Sequence, residues 1–95
     1  MIHELPPIKI QDLPPINNFE DLYARQLLIR VELGRLVPRA TTFVSFIEVQ
    51  GEEQVTATVI GDIAPHNPDV LADYLGDLGA VAHVISRRHL QVAEF

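Results

Sequence analysis

Residues 18–37, NFEDLYARQLLIRVELGRLV, predict a helix with more apolar surface than one small sheet can cover. Asn18 is a typical N-cap residue, and the helix dipole favours the acidic residues Glu20 and Asp21 in the first turn. Pro38 ends the helix. At about 100° per residue, the apolar side chains separate into two stripes. The first stripe contains Leu22, Ile29, Leu33 and Leu36, and the second contains Tyr23, Leu27 and Val31.

An ordinary amphipathic helix has one apolar stripe. Two stripes therefore predict that one packs on the chain's own sheet and the other on a second molecule. The alternative is a helix clamped between the sheet and an N-terminal arm. Phe19, Gln26, Arg30 and Val37 lie between the stripes. The outer arc, which we expect to be solvated, contains Asp21, Arg25, Glu32 and Arg35.

Composition restricts the class of protein. The chain has 95 residues, enough for one domain with a modest core. The net charge of -6 disfavours nucleic acid or an anionic membrane as a partner. The absence of cysteine excludes disulfides and cysteine zinc sites. The sequence shows neither a signal sequence nor a membrane-spanning run, so we expect a soluble, cytoplasmic protein. We also expect no cofactor.

Proline pairs flank the first part of the chain, where LPPI occurs at residues 5–8 and again at residues 13–16. Proline fixes φ and removes a backbone donor, so residues 1–17 are predicted to form an extended arm. IKIQDL alternates as a short first strand. The alternatives are an arm across another subunit or a polyproline ligand. Residues 18–95 are predicted to form a single α+β domain.

A hairpin and a second helix follow. TTFVSFIEVQ and QVTATVIGDI are β-rich, and Gly51, Glu52 and Glu53 supply the predicted loop. The helix-facing residues of this hairpin are predicted to be Phe43, Ile47, Val49, Val55, Ala57 and Val59. Asn67 and Pro68 predict the start of the second helix, and Gly79 its end. VAHVIS is a further strand, and RRHLQVAEF continues it or forms an additional C-terminal strand.

The predicted order β-α-β-β-α-β is similar to the ferredoxin-like split βαβ arrangement, with an antiparallel sheet and both helices on one face. A right-handed crossover through the second helix fits that order. The resemblance concerns element order alone. Because this fold hosts ligand-binding modules, RNA-binding domains, enzymes and adaptors, it constrains function weakly.

Histidines are the main candidates for chemistry. His66 precedes the second helix near Asp62, where an anion or acid–base chemistry is conceivable, but a solvated turn histidine is the simpler interpretation. His83 and His89 would suit a metal if they met across a hairpin, although a hydrogen-bonded, partly buried His83 fits the alternation better. The sequence contains no phosphate loop, nucleophile elbow or HExxH segment, so we predict no catalytic residue and no metal.

Two functions remain. The first is a non-catalytic interaction or regulatory module that self-associates, as a dimer, through the long helix or the open sheet face and offers an acidic surface to a larger assembly. The second is an anion-binding regulatory domain or small dimeric enzyme with a cleft near His66 and Arg30. Asp62 and His66 are the weaker ligand candidates. The interface or ligand candidates are Leu22, Tyr23, Gln26, Leu27, Ile29, Arg30 and Phe46.

Overall fold

Two helices and three strands form an α+β fold in a computed structural model that describes residue 13 and residues 15–86. The predicted α+β class is confirmed. The predicted first strand, apart from Leu13, lies outside the described residues, as do Arg87 to Phe95. The elements are α1 (Phe19–Leu36), β1 (Ala40–Val49), β2 (Glu52–Gly61), α2 (Pro68–Asp77) and β3 (Ala80–Ser86).

The sheet is mixed, with strand order β1-β2-β3. β1 and β2 are antiparallel, whereas β2 and β3 are parallel and pair from Val55↔Ala80 to Gly61↔Ser86. The prediction of an antiparallel, split βαβ sheet is therefore wrong for these strands. A split arrangement needs another strand between β2 and β3, and their direct pairing leaves no position for it.

The hairpin turn determines which side chains of β1 face the helices. The turn consists of Gln50 and Gly51, with φ of 52° and 82°. Positive φ at both central residues defines a type I′ turn, whose twist suits a two-residue hairpin. The resulting register places Val44 opposite Ala57 and Phe46 opposite Val55.

Residues paired directly across an antiparallel sheet share a face. Val44 and Phe46 therefore point to the helices together with Val55, Ala57 and Val59. The prediction for β2 is confirmed, but the predicted helix-facing residues of β1, namely Phe43, Ile47 and Val49, are wrong. The predicted loop, Gly51 to Glu53, has three residues where the turn has two, and this difference of one residue in loop length pairs the core face of β2 with the opposite face of β1.

Both helices pack on this face and share one core. Arg25 of α1 donates to the carbonyl oxygen of Leu78 at the end of α2, so the helices are also neighbours. The predicted N-caps are confirmed, since Asn18 Oδ1 accepts from Asp21 N and Asn67 Oδ1 accepts from Asp69 N, at 2.9 and 2.8 Å. The core residues of the helices are Leu22, Ile29, Leu33, Leu36, Leu71, Tyr74, Leu75 and Leu78.

Candidate functional site on the outer face of α1

Four apolar side chains of α1 remain exposed although the helix packs on the sheet. We call them the outer stripe: the second predicted stripe together with Phe19. Their exposed fractions are 57% for Phe19, 49% for Tyr23, 44% for Leu27 and 69% for Val31. Leu22 and Ile29, which were candidates for an interface, are buried in the core and are core residues instead. The spacing of four residues makes the outer stripe one continuous ridge along the helix.

The aromatic end of the outer stripe is anchored to β1. The ring centroid of Phe46 lies 5.3 Å from that of Phe19 and 6.4 Å from that of Tyr23, with tilted planes. Tilted aromatic pairs at 4.5–7 Å attract one another beyond the effect of burial. These contacts restrict the rings, so a partner that binds them loses less side-chain entropy than it would with free aromatic residues.

Gln26 and Arg30 extend from α1 to the edge of β1. Gln26 Nε2 and Arg30 Nη2 both donate to the carbonyl oxygen of Val44, at 3.3 and 3.2 Å. In the register set by the turn, this carbonyl points away from β2, along the outer edge of the strand. The two side chains thus occupy one outward-pointing carbonyl of β1, which is an edge strand of the sheet among the described residues.

Arg30 lies on the surface, and its guanidinium donates to a backbone carbonyl oxygen rather than to a carboxylate. Arg30 is exposed, and it forms no ion pair among the described residues. Gln26 is buried, and its Oε1 has no hydrogen-bond partner within the described part of the chain.

Charged residues fill the contact between α1 and α2. Arg25 and Glu32 are buried, which corrects the prediction that both lie on a solvated arc. Arg25 Nη1 donates to Leu78 O at 2.7 Å. The positive charge of Arg25 is favourable there, because the carboxyl end of a helix carries a partial negative charge. Gly79, at φ 97°, leaves space for this guanidinium. A side chain at this position would crowd it, because a Cβ there would lie only 3.0 Å from Arg25 Nη1.

Tyr74 lies in the same helix contact. Its buried hydroxyl has no hydrogen-bond partner among the described residues. Burial, with a further contribution from the nearby negative charge of Glu32, raises the pKa of Tyr74 from 10.0 to about 12. The phenol therefore stays neutral at physiological pH and contributes to the helix contact as an apolar ring.

His66 and Asp62 line a separate cavity of about 590 Å³ beside the carboxyl ends of β2 and β3. His66 is half-buried, with Nε2 3.1 Å from the carbonyl oxygen of Leu36. The simpler prediction, a solvated turn histidine, is therefore wrong, because this ring links the end of α1 to the loop before α2. Asp62 lies 3.7 Å from Arg39, and Asp69 adds a second carboxylate to the lining. Arg30 is not among the residues that line this cavity.

His83 lies on the face of the sheet that the helices do not cover. It is exposed, which corrects the prediction of a partly buried residue, and His89 lies outside the described residues. Within the described ranges, no three histidine or acidic side chains form a group suited to a metal. None of the described helices has the length and apolar character needed to cross a membrane.

Comparison with known proteins gives no family for this chain. No protein-family model matches it, and searches of curated proteins and of solved structures also give no match. The geometry of the described residues is thus the basis for a functional proposal.

Sequence reasoning missed one residue of the site, Gly34, which lies on the exposed side of α1 one turn after Val31. The signal in the sequence that could have identified Gly34 is a glycine inside a strongly helical pattern.

Proposed function

We propose that this protein is a small non-catalytic interaction module with a regulatory role, and that it forms a homodimer through the outer stripe of α1. The observation that carries the proposal is the division of α1 into two apolar surfaces. The first stripe fills the core, whereas Phe19, Tyr23, Leu27 and Val31 remain exposed. A continuous apolar ridge of this kind marks an interaction site more often than it marks an ordinary surface.

The size of the ridge predicts weak association. Full burial of a large apolar side chain contributes roughly 1.5–3 kcal/mol, and these side chains are already about half covered. The gain from both copies is then of the same order as the roughly 4–15 kcal/mol cost of association. A dimer with a Kd in the micromolar range, suited to regulation by concentration or by a third molecule, is the expected outcome.

The open face of the sheet is a weaker candidate for the same role. Its exposed apolar residues Phe43, Val49 and Ile85 lie in rows that also contain polar side chains, as in the row Phe43, Thr58 and His83. The apolar area is thus interrupted, whereas the ridge on α1 is continuous. For this reason we assign the self-association to α1.

The outer face of α2 supplies the acidic surface of the proposed module. Asp69, Asp73 and Asp77 are exposed and recur at four-residue spacing. Like charges at this spacing repel one another, so a basic partner would relieve a cost that the isolated domain carries. A larger assembly would then use α2, while α1 joins the two copies.

Binding of an anion near His66 has less support than self-association. Asp62 and Asp69 line that cavity and repel an anion, and Arg30, the cation invoked for it, lies at the edge of β1 instead. Polar groups of the cavity are also already engaged: Asp62 Oδ1 accepts from Ala64 N, and His66 Nε2 contacts Leu36 O.

Light scattering coupled to gel filtration tests the proposal. We expect the native chain to show a mass above 10.6 kDa that rises with concentration in the micromolar range. Leu27→Glu should restore the monomer mass, because it buries a charge in the interface. Val70→Glu is the matched control, since Val70 is a half-exposed residue of α2. A native chain that is monomeric throughout, or equal effects of both variants, would contradict the proposal.

A further inference from the structure

We infer that the two copies pack α1 against α1 in antiparallel orientation, with Leu27 near the twofold axis and Gly34 receiving the aromatic end of the second copy. This inference rests on the proposed self-association and adds its geometry. It commits to one occupant of the outer stripe, namely a second copy of this chain.

Gly34 is the first observation behind this orientation. Glycine inside a helix is unfavourable relative to alanine, so its presence calls for a reason. Within the described residues, a Cβ at Gly34 would meet nothing within 4 Å. The packing of the described residues therefore does not require glycine at this position. On the side of α1 that carries the outer stripe, a missing side chain would let a second backbone or a large ring come near.

The sizes of the side chains along the ridge give the direction. Phe19 and Tyr23 occupy the amino-terminal half, and Val31 and Gly34 occupy the carboxyl-terminal half. A parallel pair would place large residues against large ones and leave a gap at the small ones. An antiparallel pair centred on Leu27 places Tyr23 opposite Val31, and it places the first turn, with Phe19 and Glu20, opposite Arg35 and Gly34. Each aromatic end then meets the small end of the other copy, as close packing requires.

Charge along α1 supports the same direction. The first turn carries Glu20 and Asp21, whereas the second half carries Arg30 and Arg35. Arg35 is paired with Glu32 at 2.8 Å, but Arg30 forms no ion pair within the described part of the chain. An antiparallel pair brings the acidic first turn of one copy near Arg30 of the other and also opposes the two helix dipoles. A parallel pair would align like charges.

Disulfide mapping in the full chain tests the orientation, because the native sequence contains no cysteine. Leu27→Cys should cross-link with itself across the axis. In the antiparallel pair the two copies of residue 31 lie about 12 Å apart along the axis. Val31→Cys alone should therefore not cross-link, since a disulfide needs Cα atoms within about 7 Å. A mixture of Tyr23→Cys and Val31→Cys chains should form the mixed dimer. Val70→Cys on α2 measures the background from random collisions.

The outcomes separate this inference from the proposed function. Self-linking of Val31→Cys above the Val70→Cys background, without the mixed product, would establish a parallel pair and overturn the inference while self-association stands. If the native chain associates but Leu27→Cys does not cross-link, the interface lies elsewhere and both the orientation and the assigned surface are wrong. If the native chain does not associate at all, the proposed function itself fails.

Two glycine variants give an independent test. Gly34→Ala should weaken association by about tenfold to a hundredfold, because an added methyl group overpacks the contact. Gly76→Ala is the matched control: Gly76 is also an exposed helical glycine where a Cβ would meet nothing within 4 Å, but it lies on α2. It should leave the Kd unchanged. Equal Kd values for Gly34→Ala, Gly76→Ala and the native chain would overturn the role given to Gly34.

Discussion

The two helices cover the same face of the sheet but present opposite outer surfaces. α1 exposes an apolar ridge that includes Tyr23, Leu27 and Val31, whereas α2 exposes a row of carboxylates at Asp69, Asp73 and Asp77. Their inner surfaces are alike, because each buries leucine residues in one shared core. Packing in the core therefore explains the leucine residues of the inner surfaces, but it does not explain the residues of the outer surfaces. The proposed function assigns different partners to the two outer surfaces, a second copy to α1 and a basic molecule to α2.

The largest expected change in the free energy of unfolding distinguishes the inner surface of α1 from its outer surface. Ile29 is fully buried, and Ile29→Ala should lower the free energy of unfolding by about 2–5 kcal/mol through lost burial and a cavity. Val31→Ala, on the outer stripe, should cost less than about 1 kcal/mol in the monomer. Urea denaturation at low micromolar concentration measures both values. Similar losses in the free energy of unfolding would mean that Val31 belongs to the core of one chain. The inner and outer surfaces of α1 would then not differ in the way described.

The next effect concerns the polar contact that joins the helices. Arg25→Ala removes a charged donor from Leu78 O and should cost about 1.5–3 kcal/mol. Arg39→Ala is the control, because the side chain of Arg39 is 82% exposed and its ion pair with Asp62, at 3.7 Å, should contribute less than about 1 kcal/mol. Chemical denaturation of both variants checks the order. If Arg39→Ala costs as much as Arg25→Ala, the buried contact does not hold α2 against α1.

His66 links the carboxyl end of α1 to the loop before α2. His66→Ala should lower the free energy of unfolding by about 0.5–1.5 kcal/mol through loss of the contact with Leu36 O. We expect self-association to be retained, because the ring lies away from the outer stripe. A thermal melt and a light-scattering measurement on the same sample give both quantities. Loss of association in a well-folded His66→Ala protein would move the functional site to the cavity.

Tyr74 makes the helix contact sensitive to alkaline pH. A phenol whose folded pKa is raised to about 12 contributes stability that is complete below its unfolded pKa of 10.0 and is lost as pH rises toward 12. The native chain should therefore lose stability between pH 10 and 12. Tyr74→Phe, which cannot ionise, should lose less over the same interval. Parallel slopes for both proteins would show that the Tyr74 hydroxyl does not titrate in the folded state at a raised pKa.

Local signals in the sequence predicted the elements, while side-chain placement depended on tertiary contacts. Caps at Asn18 and Asn67 gave both helices, since cap chemistry acts within four residues. The exposed second stripe was also predictable from helical periodicity. The burial of Arg25 was not, because it depends on where the end of α2 meets α1. The reversed face of β1 followed from predicting a three-residue loop at residues 51–53 in place of the two-residue turn at Gln50 and Gly51.

Amide chemical shifts recorded by NMR at low and high protein concentration compare the outer faces of the two helices most directly. We expect the concentration-dependent shifts to cluster at Tyr23, Leu27, Val31 and Gly34, while the shifts of Asp69, Asp73 and Asp77 stay unchanged. Shifts that are absent from α1 up to millimolar concentration, or that are equal on both helices, would contradict the claim that the outer face of α1 joins two copies of this protein.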